Sequence, residues 1–390
     1  MNEDKASHYH RLGRRADVLS LAVNAAILAA LALTPGASWL GDALMRLASG
    51  MHAPPELSRV AVPCVLAVLL TAGVEIALLP LSFVRGFALE RRFGLSREHP
   101  RSWLRDHLTG AALRLGMIAA AATVAYGSMA VWPRAWWFVS AAVFSLGTLC
   151  LTQLAPVAVL PIFFRLKPLE RDGLRARLGH LAQRAGTRVM GIYEWGLGDK
   201  TRKANAALVG ISRTRRILVS DTLLREYSDD EIEVILAHEL AHHVNRDIWK
   251  SLAYDGALTM GGLLLADVAL RVAGPTLGLT GIGDPAGLPL LALALAGLGV
   301  VLTPVANAFS RSHERRADRY ALDMTRNPEA FVSAMRRMGA QNLAEERPSR
   351  LVELLFYTHP PMRDRIAAAR RWREGTTIAN LMQVNGRSAS

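Results

Sequence analysis

Six runs of apolar residues, each long enough to cross a bilayer as a helix, constrain any fold of this chain. They cover roughly residues 17–33, 60–84, 113–132, 135–160, 252–273 and 288–309. A hydrocarbon layer ~30 Å thick takes about 20 helical residues, and a helix satisfies its own backbone groups inside it. The 390-residue chain is 51% hydrophobic, with a mean hydropathy of +0.20, too apolar for an ordinary soluble protein. The predicted fold class is mainly α: a polytopic α-helical membrane protein. For the first run a signal peptide is the alternative, because Lys5, Arg11, Arg14 and Arg15 precede it. Its apolar part is somewhat long for that, and no clean A-x-A cleavage site follows.

The net charge of +13 is distributed by loop. Arg85, Arg91, Arg92, Arg97, Arg101 and Arg105 fill the loop after the second run, and the segment after the fourth is also rich in Arg. The first, third and fifth loops hold few cations. This alternation places both termini and the polar segment after the fourth run in the cytoplasm. No basic platform interleaved with aromatics is present, so nucleic acid is not an expected partner; the lipid bilayer is. Cys64 and Cys150 fall in apolar runs and are expected to pack rather than to form a disulfide or a thiolate metal site. Arg far outnumbers Lys and Ala and Gly abound, which suggests a bacterial inner membrane, with the endoplasmic reticulum as the alternative.

Between the fourth and fifth runs lies His238-Glu239-Leu240-Ala241-His242, an H-E-x-x-H pentad. Residues four apart share one face of an α-helix, so two imidazoles can grip one ion while Glu239 reaches a water beside it. Such a pentad also arises by chance on a solvated helix, so its context matters. Ser228-Asp229-Asp230-Glu231 is a capping box that starts a helix, and Ile232, Ile235, Leu236 and Leu240 recur at helical spacing. The pentad is therefore predicted to lie on a helix with a buried face, and to bind zinc.

The chain divides into four segments: 1–164 with four membrane helices, 165–250 with the pentad, 251–309 as a membrane hairpin with a Gly/Pro-rich loop near 274–287, and 310–390 completing the polar domain. Residues 206–212 and 216–220 read as strands joined through Arg213-Thr214-Arg215. A strand edge near the pentad can bind an extended peptide or can be purely structural, and pattern alone leaves both open. The tail 385–390 is expected to be disordered. Catalytic zinc usually has three protein ligands, and Glu314 in Ser310-Arg311-Ser312-His313-Glu314-Arg315-Arg316-Ala317-Asp318 is the candidate third. Spacing alone leaves Glu314 equally open as a solvated ion pair with a nearby Arg. Glu75 within the second run either lines a cavity or pairs with an Arg, and Asp267 with Arg271 reads as a local ion pair.

H-E-x-x-H followed, after a membrane hairpin, by S-R-x-x-E-x-x-A-D resembles the integral-membrane gluzincin metallopeptidases, above all the CAAX prenyl protease type 1 family. The resemblance extends to Phe87-Ala88-Leu89-Glu90-Arg91-Arg92-Phe93-Gly94-Leu95, Leu160-Pro161-Ile162-Phe163-Phe164, Asn205-Ala206, the stretch from Arg216 to Leu224, and His359-Pro360-Pro361 with Arg365. It implies that His238, His242 and Glu314 hold one zinc ion, that Glu239 is the catalytic base and that Asp318 orients a ligand His. It further implies that His359 and Arg365 lie at the scissile carbonyl and that Asn205 and Ala206 hold the substrate strand. Two departures are visible: six runs where eukaryotic members have seven, and His243 where an aromatic residue often follows the second ligand.

The sequence thus predicts a membrane-embedded zinc endopeptidase with a small α+β metallopeptidase domain, acting on a peptide or protein substrate that is prenylated or membrane-associated. The alternatives are a quality-control protease like the HtpX family and, outside enzymes, a zinc-free membrane scaffold with a decayed site.

Overall fold

The structure, a computed structural model, describes residues 3–154, 158, 162, 164–196, 201, 203–210 and 215–387. Three long helices and two shorter ones come first. α1 (Glu3–Leu33) begins well before its apolar run, and its first turns are not loop. There Ala6 and Tyr9 are buried against Leu89, Phe93, Leu95 and Leu343. The N-terminal residues therefore pack as part of the fold.

α2 (Gly36–Gly50) falls in the first loop, for which the sequence reading offers no helix, and its Trp39 and Leu47 are exposed. α3 (Pro55–Phe83) carries Pro63 and Pro80, then passes through a π-turn at Val84–Ala88 and a last helical turn at Leu89–Arg92. The basic loop thus opens as a continuation of the membrane helix. π-turns of this kind absorb one extra residue without ending the helix. α4 (Pro100–Val131) packs along α3, and Arg114 grips Glu75 with two bonds of 2.7 and 2.9 Å. Glu75 also borders an intramembrane cavity of about 370 Å³, so the two readings of this residue hold together.

α5 (Trp136–Leu154) is apolar but short, and the remainder of the predicted 135–160 run falls largely outside the described residues. Among the described residues five helices are long and apolar enough to cross a membrane, rather than six, with α5 as the shorter companion. Trp136 is fully buried and donates to Asp267 at 2.6 Å, and Arg271 closes on the same carboxylate at 2.9 Å. Cys64 is partly covered and Cys150 exposed, so only the former fits the packing reading.

The polar segment builds a four-stranded sheet from β1 (Leu166–Pro168), β2 (Gly191–Trp195), β3 (Ala206–Val209) and β4 (Arg216–Ser220). The helix α6 (Asp172–Arg184) lies between β1 and β2 in the chain. The sheet order is β1-β2-β4-β3, with β2 and β4 parallel and both outer pairs antiparallel. β4 is central, and its Ile217, Leu218 and Val219 are almost fully buried. The β3–β4 hairpin agrees with the sequence reading; residues 211–214 at its turn lie outside the described residues, as do Leu160, Pro161 and Phe163.

After the short α7 (Asp221–Glu226), α8 (Asp229–Val244) carries the pentad, and α9 (Asp247–Val272) leads back into the membrane. The connection to the last span turns at Gly274, where a Cβ would meet the Leu270 carbonyl oxygen at 2.1 Å. No side chain fits there, which explains the glycine.

α10 (Leu288–Thr325) then runs unbroken for 38 residues, so the boundary drawn at 309/310 falls inside one helix. α11 (Pro328–Gln341), α12 (Arg350–Phe356) and α13 (Met362–Arg387) complete the chain. α13 reaches into the tail expected to be disordered, as far as Arg387. One apolar core joins α6, the sheet, α8, α10, α11 and α13.

Because Tyr9 is 4% exposed, its replacement by Ala opens a cavity in the contact between α1 and the polar domain. Tyr9→Ala should cost about 3 kcal/mol, read as a lowered thermal midpoint in detergent, while insertion into membranes is unchanged. An unshifted midpoint would show that the N-terminal turns contribute no packing.

Candidate active site

The start of α8 is fixed by its capping box: the Glu231 N–H donates to Ser228 Oγ at 3.3 Å, and the Ser228 N–H donates to Glu231 Oε2 at 2.8 Å. Glu231 also accepts from Ser333 Oγ at 2.6 Å, which ties the first turn of α8 to α11. Such caps contribute on the order of 1 kcal/mol and set helix phase. With that phase, Ile232, Leu236 and Leu240 are fully buried, and His238 and His242 project from the adjoining face. Their rings lie 5.1 Å apart, nearly perpendicular at 85°.

α10 crosses α8 at this point and delivers Glu314. His238 Nε2 lies 3.2 Å from Glu314 Oε2, and His242 Nε2 lies 3.4 Å from Glu314 Oε1. The three ligand atoms are all within 4.8 Å of one another. Glu314 Oε2 is buried with no hydrogen-bond partner. A buried carboxylate oxygen left unpaired between two imidazoles fits a cation, because a cation would satisfy all three at once.

The far side of each imidazole is also held. Asp318 Oδ1 lies 2.9 Å from His238 Nδ1. Arg365 donates to both oxygens of Asp318, from Nε at 2.8 Å and Nη2 at 2.5 Å. Burial pulls the His238 imidazole down, but the Asp318 and Glu314 carboxylates beside it outweigh that and raise its pKa to about 9. A cation would displace that proton and use the neutral ring.

Asp247 does for His242 what Asp318 does for His238. Its Oδ2 lies 3.1 Å from His242 Nδ1, and Lys250 holds its other oxygen at 3.0 Å. Arg246 adopts a left-handed conformation with φ 56°, turning the chain so that α9 starts with Asp247 buried against α8. Sequence reasoning missed this residue. Its five-residue offset from His242 matches no single helix face, so only the turn brings it in.

Glu239 has no hydrogen-bond partner among the described residues, and it lines a cavity of about 460 Å³. Burial raises its pKa above the usual carboxylate range, although His238 and His242 oppose the shift. A carboxylate with a raised pKa accepts a proton more readily. His10, Asn205, Ala206 and Tyr357 also line this cavity. His359 opens into it with Nε2 3.5 Å from Glu314 Oε1, while Thr358 Oγ1 contacts its Nδ1 at 2.9 Å.

The structure brings His238, Glu239, His242, Glu314, His359, Arg365, Asn205 and Ala206 to this cavity and sets Asp318 behind His238. Arg365 was expected at the scissile carbonyl. It is only 6% exposed and spends its guanidinium on Asp318, behind His238. From there it braces a candidate ligand through Asp318 and also borders the cavity beside Glu314, 4.0 Å away. His243, noted above as a departure from the family pattern, is half-buried and donates from Nε2 to the Leu208 carbonyl of β3 at 3.2 Å.

The loop bearing His359 is tied to α1. Arg14 donates to Glu345 at 2.7 Å, Tyr357 Oη donates to the same carboxylate at 2.7 Å, and His10 Nε2 donates to the Leu343 carbonyl at 2.8 Å. The first membrane helix therefore anchors one wall of the cavity.

Comparison with known proteins agrees with this geometry. The family model for peptidase family M48 matches residues 168–373, and that for the CAAX prenyl protease N-terminal region with five membrane helices matches residues 2–165. The latter stretch holds α1 to α5, with the unanticipated α2 among them. The chain is 28% identical over 297 residues to the uncharacterized metalloprotease YhfN of Bacillus subtilis, covering 75% of this chain and 70% of that one. It is 25% identical over 315 residues to CAAX prenyl protease 1 of Saccharomyces cerevisiae, covering 74% and 68%. The crystal structure of S. mikatae Ste24p has the same fold, with a TM-score of 0.73 at 23% identity over 85% of this chain and 79% of that one. With both halves matched and the two-helix site lying within the second, the chain belongs to peptidase family M48 and is a membrane-embedded metalloendopeptidase.

Proposed function

We propose that His238, His242 and Glu314 hold one zinc ion and that Glu239 is the general base for hydrolysis of a peptide bond. The observation that carries this reading is the convergence of the three ligand atoms within 4.8 Å, with Glu239 beside them on the cavity wall. Two imidazoles and one carboxylate are a donor set that suits zinc and leaves a position open. A bound zinc ion lowers the pKa of an adjacent water and polarises the scissile carbonyl.

The remaining steps belong to the side chains. Glu239 takes the proton of the attacking water and returns it to the leaving amine. His359, open to the cavity, donates to the carbonyl oxygen as negative charge grows on it. Asp318, gripped by Arg365, and Asp247, gripped by Lys250, hold the two imidazoles in the tautomer that presents Nε2. Asn205 and Ala206, at the start of the edge strand β3, receive the extended substrate.

We further propose that segments 165–250 and 310–390 form one peptidase body on the cytoplasmic side, with 1–164 and 251–309 in a bacterial inner membrane. The Arg content of alternate loops supports this orientation. Prenylated CAAX substrates follow from the names of relatives, not from the site. Main-chain pairing at a strand edge is largely blind to side chains, so hydrophobic or membrane-tethered peptides in general fit the cavity. That breadth also admits an HtpX-like quality-control role. The intact set of His238, Glu239, His242 and Glu314 speaks against a decayed scaffold.

Glu239→Gln should keep the fold and one zinc per chain while hydrolysis falls by about 100-fold or more. A His238→Ala, His242→Ala double variant should lose the zinc, measured by elemental analysis. Full activity in the first, or full zinc in the second, would refute the assignment. A farnesylated peptide and its bare counterpart should be cleaved at rates within about tenfold, some 1.4 kcal/mol in transition-state binding. Cleavage of the farnesylated peptide alone would instead establish a dedicated prenyl-protein protease. In a Cys64→Ala, Cys150→Ala background, Ser49→Cys and Arg188→Cys should be labelled from opposite sides of the membrane. Labelling of both from outside would overturn the orientation.

A further inference from the structure

The edge of β3 is shorter than its four residues suggest. Ser220 N–H donates to the Asn205 carbonyl at 2.9 Å, and the register pairs Ala206 with Val219, Ala207 with Leu218 and Leu208 with Ile217. In an antiparallel ladder, successive residues direct their main-chain groups to alternate sides. Asn205, Ala207 and Val209 therefore bond inward to β4, while Ala206 and Leu208 turn their N–H and C=O groups to the outer edge. β3 is the last strand of the sheet, and among the described residues no strand pairs with that edge.

One of these four outward groups is taken. The Leu208 carbonyl accepts the Nε2–H of His243 at 3.2 Å. His243 is half-buried and rooted on α8, one residue after His242, so the cap is held by the helix that carries the pentad. An added strand would form two bonds opposite Ala206. Its next outward partner, Leu208, has only its N–H to offer. The imidazole also occupies the space through which a peptide N–H would approach the carbonyl.

We propose that His243 is a specificity-determining residue that ends the substrate-binding edge at Ala206. The docked peptide pairs with Ala206 and must leave the sheet before Leu208, so the site takes a short extended stretch rather than a long strand. This rests on the proposed docking of substrate at β3. The substrate class that follows is a peptide that is extended for only a few residues around the scissile bond. Residues beyond Leu208 add nothing to binding by main-chain pairing, and a longer β-strand gains no advantage.

Two unprenylated peptides test this, one ending opposite Ala206 and one continuing past Leu208 toward Val209. In the wild-type protein their KM values should be nearly equal. His243→Phe keeps an aromatic ring but removes the donor, which frees the Leu208 carbonyl. The ratio of KM values, short over long, should then rise by about 3- to 10-fold, the worth of one main-chain hydrogen bond. His243→Gln, whose amide nitrogen can take the place of Nε2, should keep the wild-type ratio. The inference is overturned if His243→Phe leaves the ratio unchanged, or if the wild-type protein already favours the longer peptide by that factor. Ala206→Pro removes an outward N–H without touching the pairing to β4. It should raise KM for both peptides; if KM is unaffected, docking at β3 itself is wrong, whatever His243 does.

Discussion

Three ligand atoms from two helices must come within 4.8 Å of one another, and that requirement fixes how α8 crosses α10. Neither helix can slide or rotate by one residue without taking its ligands off the common point, since each residue turns a helix by about 100°. The surrounding structure enforces the crossing. Leu236 and Leu240 on α8 and Ala317 and Ala321 on α10 are fully or almost fully buried, and the small residues let the backbones approach. A capping box phases α8 at one end, and the left-handed turn at Arg246 phases α9 against its other end.

Charge placed at the crossing is handled by pairing. Asp318 and Arg365 are both nearly inaccessible and form a two-bond pair, with Asp318 also on His238. Breaking such a buried pair costs about 3–5 kcal/mol because the surviving charge is stranded. The same pair therefore seals α13 to α10 and keeps an imidazole in place. Asp247 repeats the arrangement on the other imidazole from a different helix. Two aspartates thus share one task, and the chain reaches them by unrelated routes: Asp318 by a helical four-residue step from Glu314, Asp247 by a turn.

Those routes explain what could be read from the sequence. Periodicity within a single element was legible: the pentad, its capping box, Glu314 with Asp318, and the long apolar runs all rest on helical spacing. The β3–β4 hairpin was legible because two β-branched runs flank a short polar turn. What depends on a neighbour was not. β1 and β2 are not joined by a short turn, and they are held by distant partners, β2 by β4 and β1 by β2. α2 is amphipathic and lacks the length of a span. Asp247 needed the backbone of Arg246, and the bracing position of Arg365 needed the fold that sets α13 behind His238. The helical start of α1 was hidden because its charged residues resemble a leader, whereas Tyr9 gives it a buried face.

α10 connects membrane and site as a single rod. Its apolar run ends near Phe309, and Glu314 follows five residues later in the same helix. At 1.5 Å per residue that is a rise of about 8 Å. Glu314 is thus held at a fixed distance from the end of the apolar run, set by covalent geometry rather than by a hinge. Were peptide hydrolysis to take place at Glu314 as proposed, a bond in a flexible tail close to its lipid anchor would come within reach, whereas one inside a folded domain some tens of ångströms away would not. Such selection by altitude would need no side-chain recognition, and it would persist even if every contact along β3 were made indifferent to sequence.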